Sequence, residues 1–257
     1  MRRRTLFLSL GTACAALAVR AAPSAQELLV ASDAVRNPGR PFSVKVKLTE
    51  FEGGKQVETS SLVTYSRPQE QGGQYATLIS FVQPARDAGK LLLKNGDDMW
   101  FYDPSTKASI RISPQQRLMG QAANGDVVTV NLAKDYTAQI KAEEEIVDGE
   151  RKNRRTYLLA LKASSPAAAY AEIELWVDTE GHRPLKARFM AESGRLLKTA
   201  YFRRYQSHLG KERPTETVII DGLNPQAVTL MQFSDFATPS IPQVWFNRDY
   251  LPRFQRE

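Results

Sequence analysis

The chain has 257 residues, with 35 basic and 28 acidic side chains and a formal net charge of +7. Residues 1–21 contain four arginines and no acid, so the remainder carries 31 basic and 28 acidic residues, or +3. A balance this even does not predict the concentrated basic face of nucleic-acid-binding proteins. The only cysteine is Cys14, so the chain after residue 21 can form neither disulfides nor thiolate metal sites.

The first 21 residues have the pattern of a cleavable signal peptide. Arg2-Arg3-Arg4 is a basic region, residues 6–19 are uncharged, and small side chains precede a cleavage site after Ala21. The apolar run of about 14 residues is shorter than the roughly 20 that a membrane-spanning helix needs. We therefore expect export to the periplasm and a mature chain, residues 22–257, that forms a single β domain. The secretory route is favoured, although Arg3-Arg4-Thr-Leu-Phe also resembles a twin-arginine signal.

The mature chain begins with one predicted helix and two predicted strands. Residues 24–35 start with a serine suited to capping a helix and carry apolar residues at helical spacing, and Asn37-Pro38-Gly39 ends the pattern. Residues 42–49 alternate apolar and polar side chains, which predicts a strand with one face in water. Gly53-Gly54 then turns the chain into a second strand that runs through Tyr65.

Most of the remaining chain is predicted to be strand. Turn residues separate roughly ten strands, with connections too short for parallel crossovers, and several turns contain the Asn-Gly or Asp-Gly pairs that tight hairpins favour. These turns fall at Asn95-Gly96, Asp148-Gly149, Glu180-Gly181, Ser193-Gly194 and Asp221-Gly222. Between Pro114 and Tyr136 the alternation is lost, and we expect loops with one short helix near 126–134. The predicted fold is mainly β, a single curved antiparallel sheet with helices on its concave face.

Several predicted strands are apolar on both faces. In residues 98–102, Met99 and Phe101 alternate with Trp100 and Tyr102. One-layer antiparallel sheets normally turn polar residues outward, so such strands need a cover on each side. Ordinary packing against a helix or second layer is the commoner reason, and an apolar ligand cavity within the curved sheet is the alternative.

No catalytic or metal-binding pattern is recognisable. His182 and His208 are the only histidines, and the sequence lacks a Gly-x-Ser-x-Gly elbow, a phosphate loop and a dinucleotide fingerprint. Asp97-Asp98 is interpreted as part of a turn, Glu143–Glu145 as a solvated strand edge and Arg151–Arg155 as a basic hairpin tip. We therefore expect neither an enzyme nor a cofactor or metal site.

Two segments carry a resemblance to a known family. The order Trp100-x-Tyr-x-Pro104, Arg111-Ile112, Arg117-x-x-Gly120 and Asp126…Asp135-Tyr136 resembles the middle of the outer-membrane lipoprotein-sorting family. The terminal Val244-Trp-Phe-Asn-Arg-Asp-Tyr-Leu251 resembles its closing segment. The resemblance implies an unclosed β-barrel over an apolar cavity, with helices as a lid, in a longer form than the periplasmic lipoprotein carrier.

The resemblance implies a periplasmic carrier or binding protein for a lipid or a lipoprotein acyl chain in envelope biogenesis. Relatives of this longer form are often associated with inner-membrane lipid transporters of the resistance-nodulation-division type. The resemblance therefore implies such a transporter as a candidate partner. The alternative is a periplasmic sensor that reads envelope components through the same fold. A monomer is expected, without a nucleic-acid partner.

Candidate lipid-binding residues follow from this resemblance. We predict cavity or lid contacts for five residues, namely Ile79, Phe81, Leu92, Trp100 and Tyr102. Arg111 and Arg117 are candidates for headgroup contact or for locking the lid, and strand packing with ion pairs is an equal alternative for both. Removing one acyl methylene from water gains about 0.8 kcal/mol, so an apolar cavity alone could retain such a cargo.

Overall fold

The computed structural model describes residues 22–70, 73–165 and 168–255. The predicted signal peptide at residues 1–21 lies outside these ranges. Helix α1 spans Ala25–Arg36, and strands β1–β6 are Phe42–Glu52, Lys55–Pro68, Tyr75–Gln83, Leu91–Asn95, Asp98–Asp103 and Ala108–Ile112. A middle segment contains β7 (Arg117–Met119), β8 (Ala122–Ala123), α2 (Asn124–Val127) and α3 (Leu132–Asp135). Strands β9–β15 are Tyr136–Val147, Asn153–Ala163, Glu172–Asp178, Pro184–Met190, Leu196–His208, Lys211–Asp221 and Ala227–Ala237.

Within the described residues, thirteen strands form one antiparallel sheet in the order β6-β5-β4-β3-β2-β1-β15-β14-β13-β12-β11-β10-β9. Two meanders, β1–β6 and β9–β15, are joined where β1 pairs with β15. The edge strands β6 and β9 do not pair with each other, so the sheet is not closed into a barrel. The predicted fold class, a mainly β unclosed sheet with few helices, is confirmed. The estimate of ten strands was too low, because the described residues contain fifteen.

Helix α1 begins and ends where the sequence predicts. The backbone N–H of Ser24 donates to the Glu27 carboxylate at 2.8 Å, and the Ser24 hydroxyl accepts from the Glu27 N–H at 3.3 Å. This reciprocal pair satisfies two of the N–H groups that a helix start leaves free. At the other end, the N–H of Asn37 donates to the Asp33 carbonyl at 2.8 Å, and the chain leaves the helix in extended conformation.

The two faces of the sheet differ in what covers them. On β1, Phe42, Val44, Val46 and Leu48 are buried on the side that also carries α1 and the middle segment, which we name the inner face. Lys45 and Lys47 of the same strand are exposed on the opposite side, the outer face. The alternation in residues 42–49 therefore predicted the two faces of this strand.

The middle segment, residues 113–135, lies across the inner face and is named the strap. Loops with one short helix near 126–134 were predicted. The strap instead contains the β7–β8 hairpin and two four-residue helices, one at each end of the predicted range, with extended backbone between them. Between α2 and α3, the N–H groups of Thr129 and Asn131 donate to the side chains of Thr77 (3.3 Å) and Gln74 (2.9 Å). These bonds tie the strap to β3 and its preceding turn, so its backbone stays extended.

The C-terminal segment covers the outer face of β2–β5. It contains two short 3₁₀ helices, Gln243–Phe246 and Arg248–Arg253. Its buried apolar residues pack in one cluster with the outward-pointing residues of these strands, including Tyr65, Leu78, Leu93, Trp100 and Tyr102. The Trp245 ring lies 5.2 Å from that of Tyr65. Protein therefore supplies the second cover that the doubly apolar strand β5 requires.

We expect the C-terminal cover to contribute strongly to stability. Phe246 is only 1% exposed within this cluster, so Phe246→Ala should lower the free energy of unfolding by about 3–5 kcal/mol. Val244 is in the same short helix but is 47% exposed, so Val244→Ala should change it by less than about 0.5 kcal/mol. Urea unfolding measures both, and equal effects would mean that the segment does not cover a core.

Candidate functional site: an apolar cavity beneath the strap

A cavity of about 200 Å³ lies between the inner face, the strap and the end of α1. Its walls are mainly apolar. The sheet contributes side chains from β1 and β11–β15, among them Val44, Leu175, Phe189, Ala200, Ile219 and Met231. The strap contributes Val127, Val128, Val130 and Leu132 from the opposite side. An apolar enclosure with a few polar groups is the usual form of a small-molecule site.

A buried ion pair joins the strap to the sheet on one side of the cavity. Lys198 of β13 pairs with Asp126 of α2, and their side chains are only 6% and 11% exposed. The hydroxyl of Tyr170 donates to the other carboxylate oxygen of Asp126 at 2.8 Å, and the Ala123 N–H also donates to this carboxylate at 2.7 Å. We name the trio Lys198, Asp126 and Tyr170 the latch.

Aromatic side chains extend the latch. The Lys198 ammonium lies 4.9 Å from the ring centroid of Tyr170 and 5.4 Å from that of Phe189. Burial and the nearby Asp126 charge raise the pKa of Tyr170 well above its ordinary value, so its hydroxyl stays a proton donor to Asp126. The hydroxyl of Tyr136 donates to the Tyr170 carbonyl at 3.0 Å, which fixes the loop that carries Tyr170.

A second set of polar contacts joins the strap to α1. The amide of Asn37 and the guanidinium of Arg36 donate to the Val130 carbonyl at 2.9 and 3.1 Å. The carboxylate of Asp33 accepts from the Ala133 N–H at 2.8 Å. The strap is therefore held by polar groups to the sheet and to the helix, while its valines face the cavity.

Two further ionisable groups line the cavity near α3. Burial lowers the pKa of Lys94, against the opposing charges of Asp135 and Asp97. Burial likewise raises the pKa of Asp135, against a hydrogen bond from Gln74 and the charge of Lys94. The Lys94 ammonium donates to the Gly96 carbonyl at 2.7 Å. Each group therefore counteracts part of the electrostatic cost of burying the other.

Comparisons with known proteins identify the family. A LolA superfamily protein of Nitrosomonas europaea is 32% identical, with 89% of this chain and 100% of that chain covered and a TM-score of 0.79. This chain belongs to the LolA superfamily. A family model whose description reads only "Uncharacterized protein" also matches residues 73–253. A search of curated proteins gives no significant match.

Two further solved structures share the LolA-type fold. A DUF1329 family protein of Desulfovibrio piger is 23% identical over 88% of this chain and 97% of its own, with a TM-score of 0.75. A structure described as an outer membrane lipoprotein-sorting protein domain, from Vibrio parahaemolyticus, is 21% identical over 89% of this chain and 98% of its own, with a TM-score of 0.73. The predicted family resemblance is confirmed.

Gly120 belongs to the family pattern quoted from the sequence. In this LolA superfamily member it allows the β7–β8 hairpin to pack closely against the sheet. Its φ is +53°, which favours glycine, and a Cβ there would collide with the Thr229 hydroxyl of β15. The same hydroxyl accepts the Gln121 N–H at 2.7 Å. Only glycine combines this backbone conformation with so close an approach.

None of the seven predicted lipid-binding residues is among those that line the cavity. Ile79 and Leu92 are fully buried on the inner face, in the same core cluster as Val44 and Val46. Trp100 and Tyr102 face outward beneath the C-terminal segment. Their predicted contacts with lipid stay predictions.

The other three predicted residues lie toward the edge strand β6. Phe81 and Arg117 border a separate open groove between β3, β6 and the β7–β8 hairpin. Arg111 is exposed and pairs with Asp98 on the neighbouring strand. A role for either arginine in headgroup contact stays a prediction.

Sequence reasoning did not select the cavity-lining cations Lys198 and Arg213, although Asp126 and Asp135 belong to the quoted family pattern. Lys198 lies on the same face of β13 as Ala200 and Phe202, and Arg213 lies on the same face of β14 as Thr217 and Ile219. The signal that could have indicated these two residues is a basic side chain on the apolar side of an alternating strand. Recognising it requires knowing which side faces inward, and this was not established for these strands.

No cluster of three or more His, Cys, Asp or Glu side chains suited to hold a metal ion occurs within residues 22–70, 73–165 and 168–255. In the same part of the chain, no helix has the length and apolar character needed to cross a membrane.

We expect the latch to control how easily the strap opens. Asp126→Asn leaves the Lys198 ammonium buried without a counter-charge, which should lower the free energy of unfolding by about 3 kcal/mol or more. It should also speed amide hydrogen exchange across residues 113–135. Asp98→Asn removes the partner of the exposed Arg111 and should cost less than about 1 kcal/mol. Indistinguishable exchange in the two variants would contradict a latch function.

Proposed function

We propose that this protein is a periplasmic carrier that holds a lipid, or the acyl chain of a lipoprotein, in the cavity beneath the strap. The observation that carries the proposal is an apolar cavity closed by a segment that polar contacts fasten to α1 and β13. Membership of the LolA superfamily supports it, as does the shared fold of the lipoprotein-sorting domain of Vibrio parahaemolyticus. The proposed role is in outer-membrane or envelope biogenesis.

The physics of acyl-chain transfer suits such a site. Each methylene that moves from water into an apolar cavity gains about 0.8 kcal/mol. Twelve methylenes would gain roughly 10 kcal/mol, from which the costs of ordering the chain and the protein are subtracted. The remainder is enough for stable retention without a covalent bond. It is also small enough that an acceptor with a better apolar site could remove the cargo.

From the volume of the cavity we infer that the strap moves when an acyl chain enters. Its volume is about 200 Å³, whereas pockets for small molecules usually measure about 300–1,000 Å³. The sheet is continuous through backbone hydrogen bonds, while the strap is held by side-chain contacts around Asp126 and Asn37. Outward movement of the strap is therefore the less disruptive way to admit an acyl chain, and latch opening would accompany loading and release.

Other parts of the proposed role rest on the sequence. The predicted signal peptide at residues 1–21 supports export to the periplasm, and the family resemblance supports an inner-membrane transporter of the resistance-nodulation-division type as the partner. We propose that the protein acts as a monomer and performs no chemical step on its cargo, which it binds and passes on.

A cavity-filling substitution tests the carrier function. Ala200 lies in the cavity wall and is 3% exposed, so Ala200→Phe should fill the space and abolish retention of lipid. Ala108 is exposed at the edge strand β6, so Ala108→Phe adds the same group without touching the cavity. Mass spectrometry of organic extracts, from protein purified from periplasm without detergent, should find stoichiometric lipid in the wild type and in Ala108→Phe only.

The interpretation depends on folded protein and on the wild-type result. Overpacking typically costs about 1–3 kcal/mol, so thermal melts should show that Ala200→Phe remains folded at the temperature of purification. Equal lipid content in both variants would refute the cavity as the binding site. A wild-type protein that carries no lipid and takes up none when it is added would refute the carrier function and favour the sensor.

A further inference from the structure

Arg213 is a buried cation without a carboxylate partner. It lies on β14, is 2% exposed and lines the cavity. Its Nε donates to the His208 carbonyl at 3.1 Å and its Nη1 to the Val35 carbonyl at 2.7 Å. A guanidinium has five N–H groups, and within the described part of the chain that of Arg213 has no other acceptor and forms no ion pair. Buried charges are normally paired, so this arrangement is unusual.

The surroundings of Arg213 add positive charge. Burial lowers the pKa of Arg213, the nearby Tyr75 phenol opposes this effect, and the nearby Arg40 lowers the pKa further. Arg36 lines the same part of the cavity and is paired with Asp33 at 2.5 Å. The Val35 carbonyl at the end of α1 offsets part of the charge, since helix C-termini attract cations. It does not use the remaining donors of the guanidinium.

An apolar surface leads away from Arg213 along the same face of β14. Thr215, Thr217 and Ile219 follow on this face, and the apolar Phe202 and Ala200 of β13 lie beside the last two. Six residues of strand separate Arg213 from Ile219, a length of roughly 20 Å. The cavity therefore combines a buried cation with an elongated apolar wall. An amphiphile with an anionic head would be complementary to both.

We propose that the cargo is an anionic amphiphile whose carboxylate or phosphate oxygens bind Arg213 while its acyl chain lies along β13 and β14. This inference rests on the proposed carrier function and names its class of cargo. An oxyanion accepts charge-assisted hydrogen bonds from a guanidinium, which are stronger than neutral ones. It also supplies the counter-charge that the described residues do not provide, so binding removes the cost of an unpaired buried cation.

A matched pair of ligands tests the proposal. Palmitate and hexadecanol share a sixteen-carbon chain and differ in charge, and each can displace the uncharged fluorescent probe N-phenyl-1-naphthylamine. At pH 7.5 the wild type should bind palmitate about tenfold or more tighter than hexadecanol, as expected for a charge-assisted contact. Arg213→Met should lose this preference while still binding hexadecanol, and Arg213→Lys should keep part of it.

Further measurements separate the possible failures. Arg155→Met removes an arginine that is 75% exposed on the β9–β10 hairpin, and it should retain the full preference for palmitate. Lysophosphatidate with the same chain distinguishes a phosphate from a carboxylate as the favoured oxyanion. Equal binding of palmitate and hexadecanol by the wild type would overturn the proposal and leave the carrier function intact. Binding of none of these ligands would overturn the carrier function as well.

If Arg213 serves only to cap α1, its removal should destabilise the helix end without changing ligand preference. Circular dichroism melts of Arg213→Met and Arg213→Lys measure that stability. A variant that melts earlier but keeps the tenfold preference for palmitate would overturn the proposal.

Discussion

The pairing of β1 with β15 is the constraint on which the rest of the structure depends. It joins two meanders that are separate along the chain, and its register places Val46 beside Phe233 and Leu48 beside Met231. These residues face inward, so the pairing aligns the apolar sides of both halves into one surface. Because β6 and β9 do not pair, the sheet cannot bury that surface by closing on itself. A segment from elsewhere in the chain must cover it, and the connection between the two meanders is the segment that does so.

In the connecting strap, polar residues hold the segment in place and apolar residues line the cavity. Asp126 binds Lys198 and Tyr170, and the Val130 carbonyl accepts from Asn37. Buried ion pairs often add little net stability relative to apolar packing, because removing the charges from water is expensive. Their geometry is nevertheless specific, so we interpret the latch as fixing where the strap sits. Valines between these contacts form one wall of the cavity, and their apolar contacts are non-directional.

Local signals in the sequence were sufficient to predict much of the fold but few of the residues of the candidate site. Ser24 with Glu27 caps α1, and Asn95-Gly96 turns β4 into β5, because both depend on residues close in the chain. The β13–β14 turn was missed because Leu209, which has a φ of +51°, lacks the side chain typical of such turns. One short helix was predicted near 126–134, where the extended backbone depends on bonds to Thr77 and Gln74 that lie more than fifty residues away and leave no local signal. Site residues depend on the inward direction of distant strands, which alternation alone does not supply.

The position of the charges is consistent with the proposed carrier function and favours an unclosed sheet over a closed barrel for it. Lys198 lies near the start of β13 and Arg213 near the start of the antiparallel β14, so the two cations flank the apolar strip that contains Ala200 and Ile219. Lys198 is paired with Asp126 on the strap, whereas Arg213 has only carbonyl acceptors among the described residues. One cation therefore fastens the cover and the other remains available for a ligand. In a closed barrel both would face a fixed interior, whereas in this unclosed sheet the proposed outward movement of the strap would expose the apolar strip and the available cation together.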